Sequence, residues 1–582
     1  MELRVAWLIM DFCCLDAPQN VKSQPNPVEE LGVKKRKEPM SDTKTKEETT
    51  KKNQPGGFLG FIEKVGNKLP DPFWLFVILG GLVLVSSYIF NKMGLSATDP
   101  ETGEPVEIVN LLSSEGLKEI LSGVVDNYVT FPPLGLIITV MLGVAVAEHS
   151  GLISAVVRAT VSRVGPKTLT FVVALAGVTG SVASDAVYVI LIPLGAVAFR
   201  AVGRSPIVGA MVAFAASSAG FNSSLVLNIT DVLLGGISTS AAHIVDDEYF
   251  VSPLANYFFV AASAIVLALI ITAVTELYMK KRALDLVDHD EIDYSEVTFN
   301  TGRDGDDELA GDVPQEKITA ALKLDTDEWR ALQNTAIVAV IMTAIYFALL
   351  FVPGSPLQGE GGEVMSSPLI TAVAVPIGAS FLILGLVYGL GIKSITKASD
   401  VPEFMARGLK TLLPMMVLFF AVSQFLAWFT ASNLGSWTAI KGSELLQKAD
   451  LPPLLLFGAF VILVALVNLF ITSGSAQWAL MAPIVVPMFM YVGFSPEVTQ
   501  MLFRIGDSPS NIITPMSPYF ALALTFLQRY YKKAGIGTLM SLTLPYAVAM
   551  LVGWFLFFAL WWMIGLPLGP GTPMDYPAAV AP

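Results

Sequence analysis

The sequence predicts an all-α polytopic membrane protein built as an inverted-topology repeat. Three observations predict it. Of 582 residues, 53% are hydrophobic and only 15% charged, where a soluble domain carries about 25% charge. Apolar stretches near the length of a bilayer crossing recur along most of the chain. Two of these stretches are interrupted by small polar residues and glycines, and a single shift of 290 positions relates them.

The chain opens on residues 1–57, read as a disordered basic cytoplasmic tail. Its apolar patch at residues 5–10 runs into Asp11, Cys13 and Cys14 rather than a small-residue cleavage site. Beyond it Lys34, Lys35, Arg36, Lys37, Lys51 and Lys52 sit among almost no large apolar residues, so burial cannot order the segment. Met40 is a candidate start. The two adjacent cysteines make neither a disulfide framework nor a metal site.

Candidate spans follow at residues 73–90, 134–147, 169–198, 207–227, 257–278, 335–352, 369–390, 412–429, 454–470, 476–492, 517–527 and 542–564. Basic clusters stay on the cytoplasmic side. Those at Arg158, Arg163 and Lys167, at Lys280 to Arg282, at Lys393 and Lys397, and at Arg529, Lys532 and Lys533 are placed inside with the N-terminus. The acidic stretch 91–129 is placed outside. This divides the chain into a first membrane repeat at 58–280, an acidic cytoplasmic loop at 281–331, a second repeat at 332–566 and a C-terminal tail at 567–582. The net charge of −13 falls largely on that loop and reads as solvation.

The breaks lie in ALAGVTGSVASDA and NLFITSGSAQW. Irregular backbone at membrane depth is tolerated only where protein or a water-filled cavity surrounds it. Both therefore read as tips of re-entrant hairpins, one over about residues 168–200 and one over about 471–492. The 290-residue shift lays Pro193 on Pro483, Gly203 on Gly493, Ser205 on Ser495, Pro206 on Pro496 and Ser218 on Ser508. Arg200 and Arg204 flank the first turn, whereas Met490 and Phe494 stand in the second. A basic turn and an uncharged equivalent imply opposite sidedness, and such repeats hold their ligand site near the midplane.

Charged residues inside apolar sequence are costly and usually functional. Asp185, Arg504 and Asp507 are the leading candidates. The plainer role for Arg504 and Asp507, three residues apart, is mutual neutralisation. Ser508, Pro509, Ser510 and Asn511 after Asp507 read instead as an unwound bed of oxygens for a hard cation such as sodium, while a carboxylate there equally suits a proton. Ser217 to Ser224 form the equivalent break. Thr179, Gly180, Ser181 and Ser184, with Thr472 to Ser475, aim half-helix N-termini at an anion or serve as close helix packing. Trp478 is a packing residue or, beside Arg504, a stacking face for an aromatic carboxylate.

Other chemistries find little support. Three histidines occur, and only His149 adjoins a span, beside Glu148. A serine hydrolase at Ser475 lacks a buried base, and no glycine loop for nucleotide phosphates is present.

The segments VGNKLPDPFWLFVIL, GSVASDA, SGSAQWALMAPIVVPM and FRIGDSPSNIITPMSPYF resemble the AbgT family of p-aminobenzoyl-glutamate transporters and sulfonamide efflux pumps. The likeness spans about residues 57–567. It implies a homodimer in the bacterial inner membrane with nine transmembrane helices, two re-entrant hairpins, an inner core and a dimerising scaffold. By motif match it places functional positions on Asp185, Ser475, Trp478, Pro496, Arg504, Asp507 and Pro515, with Asn468 and Asp507 as sodium ligands. The expected activity is sodium- or proton-coupled carriage of a small aromatic carboxylate or sulfonamide, with no cofactor, enzymatic activity or nucleic-acid partner. A dicarboxylate or other organic-anion carrier of the same architecture is the alternative; a channel and an intramembrane hydrolase are remoter ones.

Overall fold

The computed structural model describes residues 70–576, apart from 101–102, 163, 184–185, 295–296, 298–323, 363 and 365. The expected tail, most of the acidic loop and Asp185 lie outside the described residues. Among the described residues, seven helical stretches are long and apolar enough to cross a bilayer: Pro72–Lys92, Ser114–His149, Tyr257–Ala283, Thr326–Phe351, Ala374–Ile392, Asp400–Ala431 and Ile536–Ile564. Shorter apolar helices alternate with them.

The outer layer begins with α1 (Pro72–Lys92), whose first turn is capped by the Asp71 carboxylate and carries Pro72 at its first position. A two-stranded ribbon, Ser96–Thr98 against Pro105–Glu107, and α2 (Ser114–Val129) interrupt the stretch read as an outside loop. Next come α3 (Pro132–His149) and α4 (Leu152–Ser162).

Five helices make the first repeat unit: α5 (Leu169–Gly180), α6 (Ala186–Ala201), α7 (Pro206–Ala219), α8 (Ile229–Ala242) and α9 (Tyr257–Val274), which runs on through a π turn to Leu286. The long helices α10 (Thr326–Phe351), α11 (Ala374–Ile392) and α12 (Asp400–Ala431), with α13 (Leu434–Ala449), lead to the second unit. That unit is α14 (Pro453–Asn468), α15 (Gly474–Met490), α16 (Pro496–Ser510), α17 (Pro518–Tyr530) and α18 (Ile536–Ile564).

The 290-residue shift carries α5 to α9 onto α14 to α18 in order. Details repeat too. Gly203 and Gly493 both take left-handed φ, +73° and +96°, a conformation glycine adopts without penalty. The residues after them, Arg204 and Phe494, donate their amides to the carbonyls of Phe199 and Phe489, each at 2.9 Å. Ser205 and Ser495 then precede Pro206 and Pro496, each the first residue of its helix.

Residues 169–198 are a candidate span whose break reads as the tip of a re-entrant hairpin. The structure resolves it into α5 and α6, and α5 with twelve residues rises only about 18 Å, short of the roughly 30 Å hydrocarbon core. Short helices of this kind must be enclosed by protein, and every residue of α7 and α16 is buried. Around them α1, α3, α10, α11 and α12 pack on one another as the outer layer. The crossing of α3 and α11 is tight: a Cβ on Gly143 would lie 1.8 Å from the Gly378 carbonyl oxygen. A buried ion pair, Arg158 to Glu328 at 2.7 Å, ties α4 to α10.

Candidate functional site

The repeat-related helices α7 and α16 pack on each other, and their C-terminal ends meet. Ser218 Oγ donates to the Ser508 carbonyl at 2.7 Å. Just past the end of α7, Asn222 Nδ2 donates to Asp507 Oδ2 at 2.6 Å. From the end of α14, Asn468 Nδ2 lies 2.8 Å from the Asp507 carbonyl oxygen, 2.8 Å from Ser510 Oγ and 3.2 Å from Asn511 Oδ1. The first residue of α15 closes the arrangement: a Cβ on Gly474 would fall 3.0 Å from Asp507 Oδ2 and 2.9 Å from the Phe221 ring. Segments from both repeats thus converge on one carboxylate.

Several polar atoms of this cluster are buried without a well-formed hydrogen bond: Asp507 Oδ1, which has Asn511 alongside, Asn222 Oδ1, Asn468 Oδ1, and the hydroxyls of Ser217 and Ser508. Buried polar atoms are almost always paired, and leaving one unpaired costs about 1–3 kcal/mol. A set of amide, hydroxyl and carboxylate oxygens in this state is the chemistry that coordinates a hard cation.

One turn earlier on α16, Arg504 is fully buried and its Nη1 lies 2.6 Å from Asp231 Oδ1. Its Nε and Nη2 have no hydrogen-bond partner. Asp231 is fixed in turn. Its Oδ2 accepts the Asn228 amide at 2.9 Å, and Asn228 Oδ1 accepts the Asp231 amide at 3.0 Å, a capping box that starts α8. Asn228 Nδ2 then reaches Ser181 Oγ, 3.2 Å away in the break between α5 and α6. Arg504 is therefore wired to the first break through Asp231 and Asn228.

This removes one alternative and corrects one expectation. Arg504 forms its ion pair with Asp231, not with Asp507, and an Asp507 oxygen instead accepts the Asn222 side-chain amide. The stretch at Asp507 is also not unwound: α16 continues to Ser510, since Pro509 near the helix end removes only one amide donor. Asp231 itself escaped the sequence reading. Its signals were an acid inside an apolar run and the Asn-x-x-Asp spacing of a helix start.

The other expected positions scatter. Ser475 lies in the first turn of α15, its Oγ 3.3 Å from that of Ser473, the N-cap. Trp478 is wholly buried, its ring centroid 4.6 Å from that of Phe503 and its Nε1 donating to Ser238 Oγ at 3.0 Å. The open stacking face expected beside Arg504 is closed. Pro496 begins α16, eleven residues and about 16 Å of helix rise from Asp507. Pro515 stands in the turn after α16, next to Thr514, whose hydroxyl holds the Leu469 carbonyl at 2.9 Å. The positions brought together are Asn468, Arg504 and Asp507, with the Gly474 end of α15.

Spanning helices around a repeat-built centre of short buried helices, with ionisable groups enclosed there, form the architecture of a membrane transporter. The model of the AbgT putative transporter family matches residues 57–576, and the chain belongs to that family. It is 34% identical to the p-aminobenzoyl-glutamate transport protein of Escherichia coli K12 over 521 residues, 89% of this chain and 97% of that one. The crystal structure of the Alcanivorax borkumensis YdaH transporter superposes with a TM-score of 0.77 at 37% identity, over 86% of this chain and all of YdaH. Neisseria gonorrhoeae MtrF, of a class of antimetabolite efflux pumps, gives 0.80 at 38% identity, over 89% of this chain and all of MtrF.

Proposed function

We propose that this chain is a secondary active transporter of p-aminobenzoyl-glutamate, of sulfonamide-type antimetabolites, or of both, in the bacterial inner membrane, driven by a sodium or proton gradient. The observation that carries the proposal is the placement of two incompletely paired groups a helical turn apart at the repeat interface. Arg504 keeps two N–H edges free of partners, and Asp507 sits among unpaired oxygens. An anionic substrate group would dock on Arg504 and the coupling cation on Asp507 and Asn468. Occupying both satisfies groups that are otherwise stranded, which links substrate to ion. The relatives named above support the substrate class.

In this proposal the breaks at 181–185 and 469–473 are the tips of re-entrant hairpins, the N-terminus is cytoplasmic, and the outer layer is a scaffold that dimerises. Asp185 and Ser475 lie at the tips, Trp478 forms the wall behind Phe503, and Pro496 and Pro515 fix the two ends of α16.

The test is uptake into proteoliposomes with sodium and proton gradients imposed separately, comparing the parent with Arg504→Ala. Transport of labelled p-aminobenzoyl-glutamate should need one gradient and vanish in the variant. Undiminished transport by Arg504→Ala would remove Arg504 from the site. The closed face of Trp478 favours a second reading, a carrier of non-aromatic organic anions; strong competition by succinate would select it.

A further inference from the structure

A cavity of about 810 Å³ lies between the outer layer and the first repeat. Its outer wall is α10 and α11, and its inner wall is α4, the Thr179–Gly180 end of α5 and the loop at 225–227. Among the described residues, none that lines it is charged. Its hydroxyls are turned away from any ligand: Thr160, Thr335, Thr343 and Ser380 each donate to the carbonyl four residues back on their own helix, and Tyr257 and Tyr346 donate to the carbonyls of Leu225 and Leu369. Only Thr179 Oγ1 has no partner.

Water gains few hydrogen bonds in such a space, because its lining offers almost no free polar group. An empty one forfeits the dispersion contacts of its whole lining. A dicarboxylate would be stripped of its hydration with nothing to replace it. The surroundings supply the remaining occupant. The back of α10 exposes Val340, Ile341 and Ile345, each more than half accessible, and α10 is a bilayer-length apolar helix. Hydrocarbon therefore lies against the other face of the helix that walls the cavity, and an uncharged lining matches an uncharged chain. Along α10 the lining runs from Leu332 to Phe347, about 22 Å of helix rise, longer than the roughly 15 Å depth of one leaflet's hydrocarbon.

We propose that this cavity is a lipid site that holds an acyl chain of a membrane phospholipid. Its inner wall gives the chain a mechanical role. Thr179 and Gly180 adjoin Ser181, and residues 225–227 lead into Asn228, the pair that joins the first break to Asp231 and Arg504. The acyl chain backs the elements that move if the first break opens.

The experiment reconstitutes the full chain in nanodiscs with a phospholipid carrying a diazirine at the end of one acyl chain, irradiates, and maps adducts by mass spectrometry. Adducts are expected on residues 175–182 and 225–227 as well as on the outward face of α10. Filling the cavity with Ala176→Phe and Ala339→Phe should abolish the inner-wall adducts and leave those at Val340 and Ile341. Inner-wall adducts that are missing from the parent, or unchanged in a folded filled variant, overturn the proposal. So does their displacement by saturating p-aminobenzoyl-glutamate, which would give the cavity to the transported solute. If the filled variant does not fold, the parent is labelled with the diazirine moved to the headgroup: loss of the inner-wall adducts supports the site, and equal labelling overturns it.

Discussion

Ser218 and Ser508, related by the 290-residue repeat, touch each other: the hydroxyl of the first donates to the carbonyl of the second at 2.7 Å. The contact marks the local pseudo-symmetry axis, because only elements lying on such an axis meet their own equivalents. The long partners α9 and α18 pack on each other in the same way, with Trp554 Nε1 donating to Ser263 Oγ at 2.8 Å. Polar groups close to this axis come from both repeats, so their mutual spacing changes if the repeats shift.

Ser218→Ala removes one neutral hydrogen bond at the axis. A cost of about 1 kcal/mol is expected, read as a small fall in thermal midpoint in detergent. Transport should fall by more than this stability loss explains, if the two helix ends must stay in register. Unchanged uptake would show that the contact is structural only.

The Arg504 to Asp231 pair gives a sharper test. Removing one member of a buried ion pair leaves the other uncompensated and costs about 3–5 kcal/mol. Asp231→Asn should therefore destabilise strongly, and Asp231→Asn combined with Arg504→Gln should recover much of the thermal stability without recovering transport. Equal stability of single and double variants would show that the pair is not coupled.

The repeat was legible in the sequence because proline, glycine and serine punctuate its turns. Gly203 and Gly493 need left-handed φ, and Pro206 and Pro496 open helices, so backbone geometry holds these types in place in both copies. Asp507 was legible for a related reason, being an acid stranded in an apolar run, whereas Asn468 was pointed to only by the family resemblance. Asp231 was not legible. Its helix, ITDVLLGGISTSAA, is too short and too rich in glycine, serine and threonine to resemble a span, and its importance comes from a partner 273 positions away. The enclosure of Trp478 was equally hidden, since Phe503 and Ser238 reach it only through tertiary packing. Sequence reading also unwound α16 too early, where burial on all sides outweighs the propensities of Ser508, Pro509 and Ser510.

The α3 to α11 crossing predicts a stability effect apart from the site. Gly143→Ala would force the Gly378 backbone away from a Cβ at 1.8 Å, an overpacking that typically costs about 1–3 kcal/mol. Gly135→Ala on the same helix meets nothing within 4 Å and should leave the thermal midpoint unchanged. The comparison uses unfolding of both variants in one detergent, and equal midpoints would contradict the tight crossing.

Gly474 predicts an effect on transport with little on folding. A methyl group there would press on Asp507 Oδ2 at 3.0 Å and on the Phe221 ring at 2.9 Å, so Gly474→Ala should displace the carboxylate or the start of α15. The expected phenotype is weakened ion-dependent uptake in a protein of near-parental thermal stability. Parental uptake would mean that the approach of α15 to Asp507 is not part of the working site.

The identity of the ion is decided by stabilisation as well as by flux. A ligand that binds only the folded protein at 100 times its Kd adds about 2.7 kcal/mol to stability. If sodium binds the oxygens around Asp507, sodium chloride should raise the thermal midpoint of the parent above that in choline chloride at equal ionic strength. Asn468→Ala removes the side-chain oxygen that has no partner along with the amide bracing Ser510 and Asn511, and Asp507→Asn removes the charge. Both should abolish the sodium increment while keeping a folded protein. A parent indifferent to sodium, with uptake that still follows an imposed pH gradient and is lost in Asp507→Asn, would assign the same carboxylate to a proton instead, because a proton needs the acid but not the ring of neutral oxygens. Asn468→Ala separates the cases: it should be severe for sodium coupling and mild for proton coupling.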